Sequence, residues 1–309
     1  MPHRSPHVLV VGEALIDEVR RPDGTTDEHP GGSPANVALT LGRLGRETRL
    51  AAHLGQDTHG ETLRAWLAGS GVTLTPGSDG AAATSVARAV LDASGAATYD
   101  FAITWDVAPG TGADDATIAV HTGSIAAVLE PGADAVHDLV LAARERSTIT
   151  YDPNARPSLM GTAEAALARI EPLVAAADVV KVSDEDVEWL RPGADPVEVA
   201  RTWAAQGPAI VVVTFGGEGA VAVCPAGEVR VAAPRVDVVD TVGAGDTFMG
   251  ALIDGLWERD LLGADRREAL RAIDLASLTE VLEQCVAAAA ITVSRAGANP
   301  PRRAELAHR

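Results

Sequence analysis

The sequence predicts an α/β fold: a doubly wound, mostly parallel sheet between helix layers, carrying a small β-sheet lid. Two observations predict it. Short apolar runs bounded by turn residues alternate with segments of helical periodicity along the chain. That alternation reads as a largely parallel sheet buried between helix layers. Two further segments instead read as β-hairpins inserted into that pattern.

In chain order, Val8–Val11 is the first strand candidate, followed by helical patterns at Ala35–Leu44 and Glu61–Ala68. Further strands are expected at Thr148–Tyr151, Val179–Val182, Ile210–Thr214 and Ala220–Val223, with helices at Ala163–Ala176 and Pro196–Ala205. A strand-like run, Val236–Asp240, leads to a small-residue turn and a helix that begins near Asp246. On that helix Phe248, Ala251, Leu252, Gly255 and Leu256 give one packing face. Leu278–Ile291 reads as a long, Ala-rich buried helix. The hairpins are Glu13–Arg20 with Thr25–His29, and Thr84–Leu91 with Ala97–Thr104 across Asp92-Ala93-Ser94-Gly95. The division that follows is a core of 1–12, 34–83 and 109–309 with a lid of 13–33 and 84–108. A lid of this kind would lie over the strand ends, where α/β ligands bind.

Composition excludes several function classes. The chain has 309 residues, 47% hydrophobic and 22% charged, with a formal charge of −18. Such a surface repels nucleic acid and anionic lipid, so neither is an expected partner. No apolar stretch of membrane-spanning length is read from the sequence, and the start lacks the apolar run of a signal peptide. Cys224 and Cys285 are too few for a disulfide framework, so a cytoplasmic setting is expected. Lys181 is the single lysine among 25 basic residues, and Val182 follows it. That order rules out a GK[ST] phosphate loop anywhere in the chain.

Two constellations carry chemistry. In Asp240-Thr241-Val242-Gly243-Ala244-Gly245-Asp246 side chains nearly vanish at 243–245, leaving backbone N–H groups accessible at a helix N-terminus. There the macrodipole favours anions, and fixed donors can stabilise a phosphoryl group in transfer. Asp246 at the same place suits a base that takes a proton from an attacking hydroxyl. The second constellation is Gly31-Gly32-Ser33-Pro34-Ala35-Asn36, with Gly45 and Gly55 beyond it. Asn36, one turn into its helix, and Asp17 are candidates for hydroxyl recognition. An acid in a first helical turn and a polar helix start are also ordinary structural features, so neither motif decides alone.

Together these residues resemble the two diagnostic motifs of the ribokinase-like (PfkB) carbohydrate kinases, in the family's order over nearly the whole chain. Tyr151-Asp152-Pro153-Asn154-Ala155-Arg156-Pro157 and Gly12-Glu13-Ala14-Leu15-Ile16-Asp17 are similar to segments of bacterial fructokinases. Val213–Gly219 resembles the family's nucleotide loop, and Arg295–Pro301 the fructokinase ending. The resemblance implies that Asp246 is the catalytic base and that Gly243, Ala244 and Gly245 form the anion hole. It implies sugar contacts from Asp17, Gly32, Ser33, Asn36 and Arg156. Lys181, Ser183, Thr214, Gly216 and Gly219 would line ATP. Asp186 would meet magnesium through water, and Asp240 a monovalent cation, potassium in many relatives. The family's NxxE magnesium motif is replaced here by Ser183-Asp184-Glu185-Asp186.

The implied activity is transfer of the γ-phosphoryl group of Mg-ATP to a small free sugar, D-fructose first. Alternatives are 2-keto-3-deoxygluconate, ribose or another pentose, and nucleosides. A keto acid would need a cation near the lid, yet between Arg88 and Arg144 the only basic residues are His121 and His137. A catalytically silent sugar- or nucleotide-binding regulator on the same fold is the alternative of another class, disfavoured by the intact Asp246. A homodimer through the lid is a further expectation.

Overall fold

The computed structural model describes residues 5–91 and 97–306. Two sheets organise it. The larger has nine strands in the order Gly227–Val231, Ala220–Cys224, Ile210–Thr214, Val179–Ser183, Thr148–Asp152, Thr117–Gly123, His7–Val11, Thr48–Ala51 and Val72–Leu74. Neighbours pair in parallel except at the first two junctions in that order, which are antiparallel.

The unbroken apolar runs have their reason in two cores, one on each face of this sheet. Val8, Val10, Ile210 and Val212 face one core, while Leu9, Val11, Val211 and Val213 face the other. The first is closed by helices Ser33–Arg43, Ala244–Glu258 and Leu275–Val293, the second by Gly132–Ala143, Ala163–Ala176 and Pro196–Ala204. A residue pointing either way along these strands therefore meets apolar neighbours.

The smaller sheet has the order Thr26–Gly31, Leu15–Arg20, Val86–Leu91, Ala97–Ala102. Each hairpin is antiparallel, and the two join through a parallel pairing of Leu15–Arg20 with Val86–Leu91. All four strands fall within 13–33 and 84–108. The loop anticipated at 92–95 lies outside the described residues.

Two expectations are corrected. Val236–Asp240 is not a strand: the chain from Ala232 to Asp240 has no sheet partner, and Val238 and Val239 are each 63% exposed. Val236 and Val238 line a cleft rather than a sheet, with Val239 and Asp240 both donating N–H to Val293 O. Second, helix Leu275–Val293 is long and apolar enough to cross a membrane by length and composition. Here it is a core helix, half buried, packed on helix Ala244–Glu258 and strand Gly227–Val231.

The helix carrying Asp246 starts at Ala244, with Gly243 as its N-cap in the left-handed region at φ 75°. It crosses helix Ser33–Arg43 closely. A Cβ on Gly250 would lie 2.6 Å from Thr40 Cβ, so only glycine allows this approach. That contact brings the two helix N-termini together, which places Asp246 beside Ser33 and Asn36.

Candidate active site

A cleft of about 1440 Å³ runs between the small sheet and the carboxyl ends of the large sheet's parallel strands. Glu13, Ser124, Asn154, Ser183 and Thr214 follow or end successive strands on this rim, where open α/β sheets bind ligands. One face of the small sheet roofs it with Leu15, Asp17, Val19, Ala87 and Phe101.

Asp246 is buried and held by three donors. Its Oδ1 accepts from Ser33 Oγ at 2.7 Å and from Asn154 Nδ2 at 3.2 Å, and its Oδ2 accepts from Asn36 Nδ2 at 2.8 Å. These come from positions 213, 92 and 210 residues away in sequence. Neutral donors fix the carboxylate's direction without neutralising it, the condition a general base needs. Gly243 to Gly245 line the cleft at the N-terminus of the same helix. A Cβ on Gly243 would meet Ala298 Cβ at 2.6 Å, so this loop tolerates no side chain against the 295–298 segment.

Asp17 and Gly32 line the cleft wall beside the small sheet. Burial pushes the Asp17 carboxyl up to about 6, against the pull of the Arg156 guanidinium and His29. Gly32, at φ 103°, lies where a Cβ would strike Glu13 O at 2.5 Å. Arg156 stands exposed at the cleft edge and donates to Asn154 Oδ1 at 2.8 Å. On the other side Thr214 ends its strand, and Gly216 and Gly219 bracket a single helical turn.

Lys181 reaches the cleft from strand Val179–Ser183. Its Nζ lies 2.8 Å from Asp152 Oδ2, and both side chains are almost fully buried. Burial alone would lower the ammonium, but the carboxylates of Asp152, Asp186 and Asp246 outweigh that and hold it above its ordinary value. Burial in turn pushes Asp152 up to about 6, opposed by Lys181.

Ser183 and Asp186 form a reciprocal capping box at the start of helix Asp184–Leu190. Asp186 Oδ1 accepts from Ala155 N at 2.8 Å and Oδ2 from Ser183 N at 3.2 Å. Both oxygens are thus engaged by backbone donors, which fix the direction of this carboxylate at the helix start. Among the described residues no group of three or more His, Cys, Asp or Glu could hold a metal ion. Asp240 is engaged similarly, accepting from Val242 N at 3.0 Å and from Gly297 N at 2.9 Å. It ties the anion loop to the 295–298 segment directly.

Sequence reasoning left Asn154, Asp152 and Glu13 out of the site. Asn154 sits at φ 36°, unusual for a residue other than glycine, in the turn that aims it at Asp246. Glu13 is 95% buried in the cleft wall, and burial pushes its carboxyl up to about 7. An acid directly after a buried apolar strand was the available signal.

A model of the pfkB family carbohydrate kinases matches residues 5–305. The chain belongs to this family. A fructokinase of Rhizobium leguminosarum bv. trifolii is 35% identical over 268 residues, 82% of this chain and 81% of the relative. Probable fructokinase-4 of Arabidopsis thaliana is 32% identical over 311 residues, covering 95% and 92%. Among solved structures, the fructokinase of Xylella fastidiosa with bound ATP superposes with a TM-score of 0.82 at 25% identity, covering 97% of both chains. The family is thus that of sugar phosphotransferases, and the cleft is where its chemistry has room to act.

Proposed function

We propose that this PfkB carbohydrate kinase is an ATP-dependent fructokinase. The observation that carries the reading is the Asp246 carboxylate, oriented by Ser33, Asn36 and Asn154 at the helix start that follows the Gly243–Gly245 loop. The fructokinases among its relatives support D-fructose as the acceptor.

In this reading a fructose hydroxyl lies against Asp246, with Asp17, Gly32, Ser33, Asn36 and Arg156 around the sugar. The hydroxyl oxygen attacks the γ-phosphorus, the bond from that phosphorus to the β,γ-bridging oxygen breaks, and the proton passes to an Asp246 oxygen. ADP leaves with the bridging oxygen. The Gly243 and Gly245 N–H groups and the Lys181 ammonium offset charge gathering on the transferring group, while the Ala244 N–H donates to Thr241 O. Thr214, Gly216 and Gly219 flank the nucleotide. Asp186 would meet the magnesium that accompanies ATP through water, and that ion would neutralise phosphate charge. Potassium near Asp240 would hold the loop that Asp240 already ties. The small sheet closes over the sugar, and a homodimer forms through it. Two free, buried cysteines and the use of ATP agree with a cytoplasmic setting.

The test is ADP release measured with fructose, 2-keto-3-deoxygluconate, ribose, tagatose and adenosine. Fructose should give the highest kcat/KM. A tenfold preference for another acceptor would overturn the sugar, and no ADP release with any of them would overturn the kinase reading.

A further inference from the structure

The proposed chemistry assigns Lys181 to the phosphates but leaves its buried partner without a task. Val180 pairs with Tyr151 across parallel strands, so Lys181 and Asp152 follow as neighbours, 97% and 100% buried. In an apolar run such as Val179-Val180-Lys181-Val182, an ion pair is a weak device for stability. Desolvation cancels much of its Coulombic gain, and apolar residues serve as well.

The pair is also unsaturated on both sides. The ammonium has three donors; among the described residues, its one hydrogen bond to protein is to Asp152. Asp152 Oδ1 is buried with no partner. The ammonium stands beside the anion loop, since a Cβ on Gly245 would lie 3.0 Å from Nζ. A four-carbon stem left to itself samples many rotamers, and only a fixed partner holds its charge at one point.

We propose that Asp152 is a positioning residue for phosphoryl transfer: its ion pair fixes the Lys181 ammonium beside Gly245, with two N–H donors free for phosphoryl oxygens. This rests on the kinase reading above. The segment it opens works on both reacting partners. Asp152 holds the cation, Asn154 holds the base, and Ala155 N holds Asp186.

The test compares D152N, K181M, the double variant and D246N in the full-length enzyme, reading kcat, the KM of sugar and of ATP, and thermal stability. D152N should lower kcat by about tenfold or more, with the sugar KM within about twofold, the size of one misplaced charge-assisted contact. K181M should lose more, and adding D152N to it should change turnover by less than about threefold, because residues acting through one another are non-additive. Turnover of D152N within twofold of wild type overturns the proposal. So does a loss that multiplies with that of K181M, or a sugar KM that rises in step with the fall in kcat. If D152N alone does not fold, K181M against the double variant decides, since equal turnover supports the role and a further tenfold loss refutes it. D246N separates the layers: if it keeps more than a tenth of wild-type turnover the kinase site itself is misread, whatever Asp152 does.

Discussion

Replacing Asp246 with Asn removes the proposed proton acceptor while keeping side-chain shape, and its two consequences can be sized separately. The carboxylate accepts three hydrogen bonds, at 2.7, 2.8 and 3.2 Å. An amide keeps one acceptor oxygen. If that oxygen stays toward Ser33 and Asn154, its NH2 faces the Asn36 NH2, and one charge-assisted bond of about 1.5–3 kcal/mol is lost. Part of this returns, because the Asp246 charge helps to raise the carboxyls of Glu13, Asp17 and Asp152, and that repulsion disappears. The net destabilisation should therefore be about 2 kcal/mol or less, a few degrees in Tm for a chain of this size.

Loss of the base is the larger effect, about two to four orders of magnitude in kcat. Fructose affinity should change little, since Asp17, Gly32 and Asn36 remain in the cleft wall. Coupled ADP release at saturating ATP and fructose measures the first quantity, and calorimetric titration of fructose the second. A variant with more than a tenth of wild-type turnover would refute the role of Asp246. An unchanged kcat with weakened fructose binding would show that this acid recognises sugar and moves no proton.

Three further outcomes follow from other parts of the cleft. Burial lifts Glu13 from 4.5 to about 7, so its contribution to stability is fully present below 4.5 and is lost as pH rises through 7, leaving a penalty of about 3 kcal/mol at pH 8. The melting temperature of E13Q relative to wild type should thus climb between pH 5 and pH 8; a flat difference contradicts an ionising Glu13. Potassium should raise turnover over sodium or tetramethylammonium at equal ionic strength, and D240A should erase the difference, whereas identical wild-type rates in all three salts end the cation role of Asp240. Fructose with a nucleotide analogue should protect amides of Val86–Leu91 and Ala97–Ala102 from exchange more than those of Ala163–Ala176, and equal protection would reduce the small sheet to a surface feature.

Much of the fold was legible because local pattern and burial agree in it. Val8–Val11, Val179–Val182 and Ile210–Thr214 are apolar on both faces, and the sheet buries both faces. Val236–Asp240 shows where that logic fails: valines can line a cleft as readily as a sheet, and pattern alone does not separate ligand from protein as the covering partner. The Ser183–Asp186 capping box was visible as a Ser-x-x-Asp spacing ahead of Val187. Its meaning, that Asp186 is engaged by backbone donors, needed the turn carrying Ala155 to be brought alongside. Asn154 and Asp152 were hidden for the same reason. Each acts on a partner 92 or 29 residues away, and only the sheet order makes them neighbours.

A chain with formal charge −18 opens a cleft whose lining includes Glu13, Asp17, Asp186 and Asp246 to a polyanionic nucleotide, with Asp152 paired to the Lys181 that also lines it, and these five acids are held in different ways. Asp152 faces the lone lysine at 2.8 Å. Asp186 accepts two backbone N–H groups, so its charge is met by peptide dipoles. Burial pushes Glu13 to about 7 and Asp17 to about 6, so a share of both is protonated and uncharged near neutral pH. Asp246 accepts from the neutral side-chain donors Ser33, Asn36 and Asn154. Beside it stand the N-terminus of a fifteen-residue helix, whose dipole favours anions, and the ammonium paired with Asp152. In the proposed reaction the carboxylate that takes the proton would therefore stand beside the helix N-terminus and the ammonium that face the transferring phosphoryl group.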